Sequence, residues 1–133
     1  MVQYARPDAD VSLGGWSNPS WSTIDEVTYS DADKTVSPTA PANATLEVGL
    51  SNVEDPQVST GHTIRFRYQK SAAGGATINL YVRLLQGVTE IAAWTFNDIA
   101  NGWVDGSQTL AGGQADAITD YNNLRLEFKA NQV

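Results

Sequence analysis

The fold class is decided by residues 62–85, which read HTIRFRYQKSAAGGATINLYVRLL. Apolar side chains alternate with polar ones in both halves of this stretch: Ile64, Phe66 and Tyr68, then Ile78, Leu80, Val82 and Leu84. A period of two residues is typical of a β-strand that buries one face. The small residues SAAGG at 71–75 favour a turn. The stretch therefore predicts two strands, His62–Gln69 and Thr77–Leu85, joined by a hairpin-type turn.

The same alternation continues on both sides of this stretch. It predicts strands at Thr45–Leu50 and from Leu124 to Lys129. Weaker patterns predict further strands at Ser12–Trp16, Asp25–Thr28, Lys34–Ser37, Val88–Phe96 and Ser107–Leu110. The dipeptide Gln86-Gly87 predicts a tight turn.

Two segments depart from simple alternation. Within Val88–Phe96, Ile91 and Trp94 can share a face only if the strand contains a β-bulge. Residues 114–119 predict a single helical turn that packs Ala115 and Ile118 inward. We therefore expect an all-β fold, a two-sheet antiparallel jelly-roll-like sandwich of about eight strands with one short helical turn near 114–119.

The length of 133 residues fits one domain spanning 1–133, in which residues 1–11 could form an extended N-terminal arm. Leu, Ile, Val and Phe make up 29 of the 133 residues, just above the level of roughly 20% below which disorder is the rule. The chain is expected to fold as a β-domain with a small apolar core and long loops.

Composition argues against several classes of function. The chain has no cysteine and a single histidine, His62, which excludes thiolate chemistry and multi-histidine metal sites. A net charge of −7 disfavours binding to nucleic acid or to anionic membranes. Neither a membrane span nor a signal peptide is recognisable, so we expect synthesis in the cytoplasm without secretion. Neither a G-x-S-x-G elbow nor a phosphate-binding loop is present, and an enzyme is not expected.

Three stretches together resemble a known module. They are RPDADVS at 6–12 leading to GW at 15–16, STGHTIRFR at 59–67 followed by KSAAGG at 70–75, and ADAITDY at 115–121 before LRL at 124–126. This arrangement is similar to a β-sandwich module of tailed-bacteriophage virion proteins, and the similarity covers residues 6 to 128.

The resemblance implies a non-enzymatic structural protein located in the virion. A head decoration or cement protein would adhere to the major capsid protein or another virion protein, and a homo-oligomer on the particle is expected. A tail-associated module is the other place that the resemblance allows. The family brings no catalytic residues.

Positive charge is concentrated on the predicted strands. Arg65, Arg67, Arg83, Arg125 and Lys129 all occupy positions opposite the apolar face. If the strands at 62–69 and 124–129 are neighbours, their outer face carries an arginine-rich stripe that could contact a complementary surface on the particle. The alternative is that these residues only make a sheet face soluble.

Two tryptophans, Trp21 and Trp103, lie in predicted loops and are expected to be exposed. An exposed tryptophan anchors protein–protein contacts, and it also stacks against sugars. The first reading fits a virion interface. The second gives the alternative function, a tail-associated or free carbohydrate-binding module that recognises host surface glycans.

Acidic residues crowd the first quarter of the chain, and clustered carboxylates can bind calcium. Asp31 and Asp33 are the first candidates, although the EF-hand spacing is absent and solvated loop carboxylates explain most of the clustering. No other cofactor is expected.

Overall fold

The computed structural model describes residues 2–17, 21–28, 30–71 and 75–133. Within them, seven strands are found: β1 Pro7–Ser12, β2 Ala44–Leu50, β3 Thr63–Tyr68, β4 Ile78–Gln86, β5 Thr89–Phe96, β6 Val104–Thr109 and β7 Leu124–Gln132. A short helix, α1, spans Gly112–Asp116, and a 3-10 turn spans Trp21–Thr23. A five-stranded sheet has the order β1-β2-β7-β4-β5, and a two-stranded sheet pairs β3 with β6; all pairs are antiparallel. The chain has an all-β, two-sheet fold, as predicted; its jelly-roll connectivity stays a prediction.

The core lies between the two sheets. The largest fully buried side chains are Leu46, Val48, Val82 and Leu84, which come from alternate positions of β2 and β4. Burying one such side chain stabilises the fold by about 1.5–3 kcal/mol. The alternation in the sequence therefore identifies the inward face of these central strands correctly.

The ring of Phe66 joins the two sheets. It packs edge-on against Phe96 and Phe128 of the five-stranded sheet, with ring centroids 5.5 and 6.1 Å apart. On its own sheet Phe66 pairs with Gly106, where an added Cβ would lie 2.5 Å from a carbon of the Phe66 ring. The absence of a side chain at Gly106 is what lets this ring fit over β6.

Strand pairing overturns the predicted hairpin. β3 pairs only with β6 among the described residues, whereas β4 pairs with β5 and β7. Residues 71–75 therefore connect two different sheets, and residues 72–74 lie outside the described part of the chain. The tight turn at Gln86-Gly87 is confirmed, because Gly87 has a φ of +60° between β4 and β5.

Three predicted strands are wrong. Ser12–Trp16, Asp25–Thr28 and Lys34–Ser37 are not strands, and the first strand is instead β1, which ends where the first of these segments begins. The connection between β1 and β2 covers the core with side chains rather than with a paired backbone. Trp16, for example, packs on the core and donates its indole N–H to the carbonyl of Ala44 at 3.1 Å.

The predicted bulge and helical turn are both present. The β4–β5 register passes from Leu84↔Ala92 to Leu85↔Glu90, which leaves Ile91 unpaired and lets both Ile91 and Ala92 be buried. Helix α1 begins two residues earlier than expected. Its Ala115 and the following Ile118 are buried, as predicted.

Candidate binding surfaces

The arginine-rich stripe does not form, because β3 and β7 belong to different sheets. Arg65 and Arg67 lie on the outer face of the two-stranded sheet. Arg83, Arg125 and Lys129 lie on the outer face of the five-stranded sheet, on the other side of the molecule. The condition on which the stripe depended is not met.

Arg67 is the centre of a polar cluster on the two-stranded sheet. Its guanidinium donates to the Asp31 carboxylate at 2.7 and 3.2 Å and to Asp105 at 2.6 Å. It also lies over the Trp103 ring, 5.5 Å from the centroid. These hydrogen bonds raise the pKa of Arg67 and lower the pKa of Asp31. Water screens this exposed cluster, so its main effect is to fasten the loop containing Asp31 to β3.

We expect Arg67→Gln to raise the pKa of Asp31 toward its ordinary value of 3.8. The pKa of Asp31 is lower in the folded than in the unfolded chain. The pair therefore stabilises the fold above the ordinary pKa, and this contribution is lost as pH falls through the lowered value. A carbon NMR titration of the Asp31 carboxyl measures the change.

Arg65→Gln is the matched control, because Arg65 lies on the same strand and forms no ion pair within the described residues. An Asp31 titration that is unchanged in Arg67→Gln, or shifted equally in both variants, would contradict the assignment.

The outer face of the five-stranded sheet carries two rows of side chains across four strands. Strand register places Thr45, Lys129, Tyr81 and Thr95 in one row, and Glu47, Glu127, Arg83 and Ala93 in the next. The Lys129 ammonium lies 4.6 Å from the centre of the Tyr81 ring. Polar and aromatic groups thus stand side by side on one face.

The Arg83–Glu127 pair occupies the middle of this face. Two parallel hydrogen bonds of 2.8 and 2.7 Å join the guanidinium to the carboxylate, and Glu90 approaches Arg83 at 3.5 Å. The bonds to Glu127 raise the pKa of Arg83. Arg125 is paired with Glu47 at 3.3 Å. Of the arginines that were expected to reach a partner, Arg83 and Arg125 are thus already neutralised within this sheet.

A depression of about 370 Å³ opens on this face, which we call the sheet groove. Its lining includes Tyr81, Arg83, Ala93, Thr95, Glu127 and Lys129. The Glu127 side chain is only 12% exposed although it points away from the core, because the Arg83 guanidinium covers its carboxylate. The sequence places Tyr81 and Arg83 on this face; the groove itself arises because β5 contributes small side chains beside them.

The loop tryptophans are less exposed than expected. Trp21 packs against the core, and its backbone N–H donates to the Asp10 carboxylate at 2.9 Å. Trp103 is half-buried beneath Arg67. The expectation of exposure is wrong for both, because a loop that crosses the open part of a sheet can bury its aromatic side chains there. Both rings are therefore partly covered, and the glycan alternative that relied on their exposure stays a prediction.

The two calcium candidates lie in different surroundings. Asp31 is held by Arg67, whereas Asp33 lies beside the Glu26 carboxyl. Burial and the neighbouring Asp33 raise the pKa of Glu26. Across the described residues, no three acidic or histidine side chains come together as a metal site would require.

One end of the sandwich collects the N-terminal segment and three connections, and we call it the arm end. The start of β1, the end of β2, the start of β7 and the β4–β5 turn all lie there. Residues 2–6 form the remaining arm, since 7–11 of the expected arm belong to β1. Gln3 and Glu54 hold this arm to the loop after β2 through hydrogen bonds of 3.0 and 2.8 Å.

His62 lies behind the arm end. Its Nε2 and the Tyr121 hydroxyl are 2.8 Å apart, while Nδ1 is buried and has no hydrogen-bond partner in the described part of the chain. Burial raises the pKa of Tyr121, and the charges of Asp55 and Asp116 add to this effect. The pair fastens the loop before β7 to the start of β3.

The arm end also carries exposed apolar side chains. Val88 at the β4–β5 turn is 90% exposed, Val2 and Tyr4 on the arm are 74% and 60% exposed, and Val58 is 55% exposed. Exposed carboxylates accompany them, from Glu54, Asp55, Asp116 and Asp120. Sequence reasoning missed this surface, because an isolated valine in a turn carries no signal until the fold brings several segments to one end.

Comparisons with known protein families, with curated proteins and with solved structures gave no match. None of the helices in the described part of the chain is long and apolar enough to cross a membrane.

Proposed function

We propose that this chain is a non-enzymatic structural protein of a bacteriophage particle, which decorates or cements the capsid through adhesive protein–protein contacts. The sequence resemblance suggests the particle. The one structural observation that supports adhesion is the gathering of exposed apolar side chains at the arm end.

The arm end suits a protein contact better than the sheet faces do. Arg67, Arg83 and Arg125 are already paired within the chain, so a partner would have to break these pairs to use their charge. The exposed valines at the arm end have no charge to neutralise, and Tyr4 contacts only the Arg6 guanidinium among the contacts of its ring that the described residues show. Removing exposed apolar surface from water contributes roughly 25 cal/mol per Å².

The chemistry of the arm end indicates its partner. The segments at this end present exposed valine and tyrosine side chains together with exposed carboxylates, which would be complementary to a surface with apolar pockets and basic groups. We propose that this partner is the major capsid protein or another virion protein. Many copies arranged on a symmetric shell reinforce one another, so modest affinity at each site is sufficient.

Gold-label electron microscopy of purified particles, with an antibody against this chain, tests the location. Label distributed over the head shell is the expected result. Label confined to the tail would overturn capsid decoration in favour of a tail position, and particles without label would overturn the virion assignment altogether.

Val88→Asp is expected to reduce the number of copies per particle at least about tenfold, since a buried charge replaces an apolar contact. Quantitative mass spectrometry of particles assembled with the variant measures the copy number. Val133→Asp is the matched control: Val133 is 66% exposed and follows β7 at the opposite end of the sheet. Equal incorporation of both variants would contradict the use of the arm end.

A further inference from the structure

We infer that the sheet groove is a binding site for an uncharged saccharide that has neighbouring hydroxyl groups. This inference is independent of the virion proposal, because it concerns a different face of the molecule. It also differs from the alternative based on loop tryptophans, since neither Trp21 nor Trp103 lines the groove.

The shape of the groove carries the first step. Its volume of about 370 Å³ lies at the lower end of the range found for small-molecule sites. Glu127, which is part of this lining, is only 12% exposed because the guanidinium of Arg83 covers its carboxylate. The depression therefore contains a paired, partly covered ion pair rather than two free charges.

The charge of the groove carries the second step. Arg83 and Lys129 contribute two positive charges, and Glu90 and Glu127 contribute two negative ones. Because these charges cancel, the groove offers no net attraction to phosphates, nucleic acids or acidic sugars. Its chemistry favours a neutral polar ligand.

The arrangement of the donors and acceptors carries the third step. In the Arg83–Glu127 ion pair, two parallel hydrogen bonds hold the guanidinium N–H donors next to the carboxylate acceptors in a fixed geometry. Two neighbouring hydroxyls of a sugar ring can each donate to the carboxylate and accept from the guanidinium. Their remaining hydrogen-bonding capacity is met by the Thr95 hydroxyl and the Lys129 ammonium, which border the same space.

The aromatic group carries the last step. Tyr81 lies between Lys129 and Thr95 in its row across the sheet, next to the row that contains the Arg83–Glu127 ion pair. Sugars combine hydroxyl edges with apolar C–H faces. The Lys129 ammonium occupies one face of the Tyr81 ring, 4.6 Å from its centre, so the C–H face of a sugar would contact the other face of the ring or displace Lys129. The small side chains of Ala93 and Thr95 leave the β5 side of the groove open to a ligand.

The test is a titration of the isotope-labelled chain, followed by amide NMR, with glucose, galactose, mannose, rhamnose and N-acetylglucosamine. Concentrations of about 20 mM detect binding with dissociation constants near 1 mM. We expect at least one of these sugars to shift the amides of Tyr81, Ala93 and Thr95. Glucuronate, which carries a negative charge, is expected to bind no better than glucose.

Thr95→Arg is expected to weaken the binding at least about tenfold, because an arginine opposite Tyr81 covers its ring and fills the groove. Thr89→Arg makes the same change on the same strand at an exposed position outside the groove lining. It is expected to leave the affinity unchanged. The amide spectra of both variants verify that the fold is retained.

Three results would overturn the inference. The first is the absence of shifts at the groove with every sugar of the panel. The second is equal affinity of Thr95→Arg and the unchanged chain. The third is a set of shifts centred on Trp21 or Trp103, which would move sugar binding to the loops.

Discussion

Replacing Leu84 with Ala is expected to lower the free energy of unfolding by about 3 kcal/mol. Leu84 is 2% exposed and lies in register with Leu126 on β7 and Ala92 on β5. The substitution removes apolar contacts at the centre of the larger sheet and leaves a cavity that three hydrogen-bonded strands cannot close. Urea unfolding followed by circular dichroism measures the change, and the melting temperature is expected to fall by about 10 °C.

Val88→Ala is the matched control for Leu84→Ala. Val88 lies at the end of the same hairpin but is 90% exposed, so its loss is expected to change stability by no more than about 0.5 kcal/mol. If Leu84→Ala lowered the free energy of unfolding no more than Val88→Ala does, Leu84 would not be part of the core.

Gly14→Ala is expected to have a similarly large effect, a loss of about 3 kcal/mol of stability. Gly14 has a φ of +55°, and an added Cβ would lie 1.8 Å from the backbone carbonyl oxygen of Thr45. A backbone carbonyl cannot relieve the clash by adopting another rotamer, as a side chain can. The connection after β1 therefore has to move away from β2. This movement pulls on Trp16, whose indole N–H is bonded to Ala44.

Gly113→Ala separates the effect of the close approach from the general effect of replacing glycine. Among the described residues, an added Cβ at Gly113 meets no atom within 4 Å, and the residue lies in helix α1, where alanine is favoured. The free energy of unfolding of the Gly113→Ala protein is expected to be unchanged or slightly higher. A Gly14→Ala protein with wild-type stability and an unshifted Trp16 indole signal would contradict the close packing of this turn.

Much of the fold could be predicted from local patterns. The strands at 45–50 and 77–85 and the start of the strand at 124 follow from alternation, since burying one face of a strand requires every second residue to be apolar. The bulge at Ile91 follows from the same rule, because two apolar side chains that break the alternation can both be buried only if the backbone adjusts. These features depend on residues a few positions apart.

The charged surfaces could be predicted only in part. Alternation correctly places Tyr81 and Arg83 on the outer side of β4. It could not show that Arg83 pairs with Glu127, which is 44 residues away, or that Arg67 binds Asp31, 36 residues away. A sequence shows which residues are charged, whereas the contacts that neutralise them depend on which strands and loops become neighbours.

The sequence by itself determined the all-β class, the inward faces of the central strands and the positions of the bulge and the short helix. Only the tertiary structure decided that β3 lies apart from β7, that the loop tryptophans are half-buried, and that apolar side chains gather at the arm end. The physical reason is the range of the interactions. Alternation and turn propensity act between residues near in sequence, whereas strand pairing, packing of loops over a sheet and the shape of a groove depend on segments that meet only after the chain has folded.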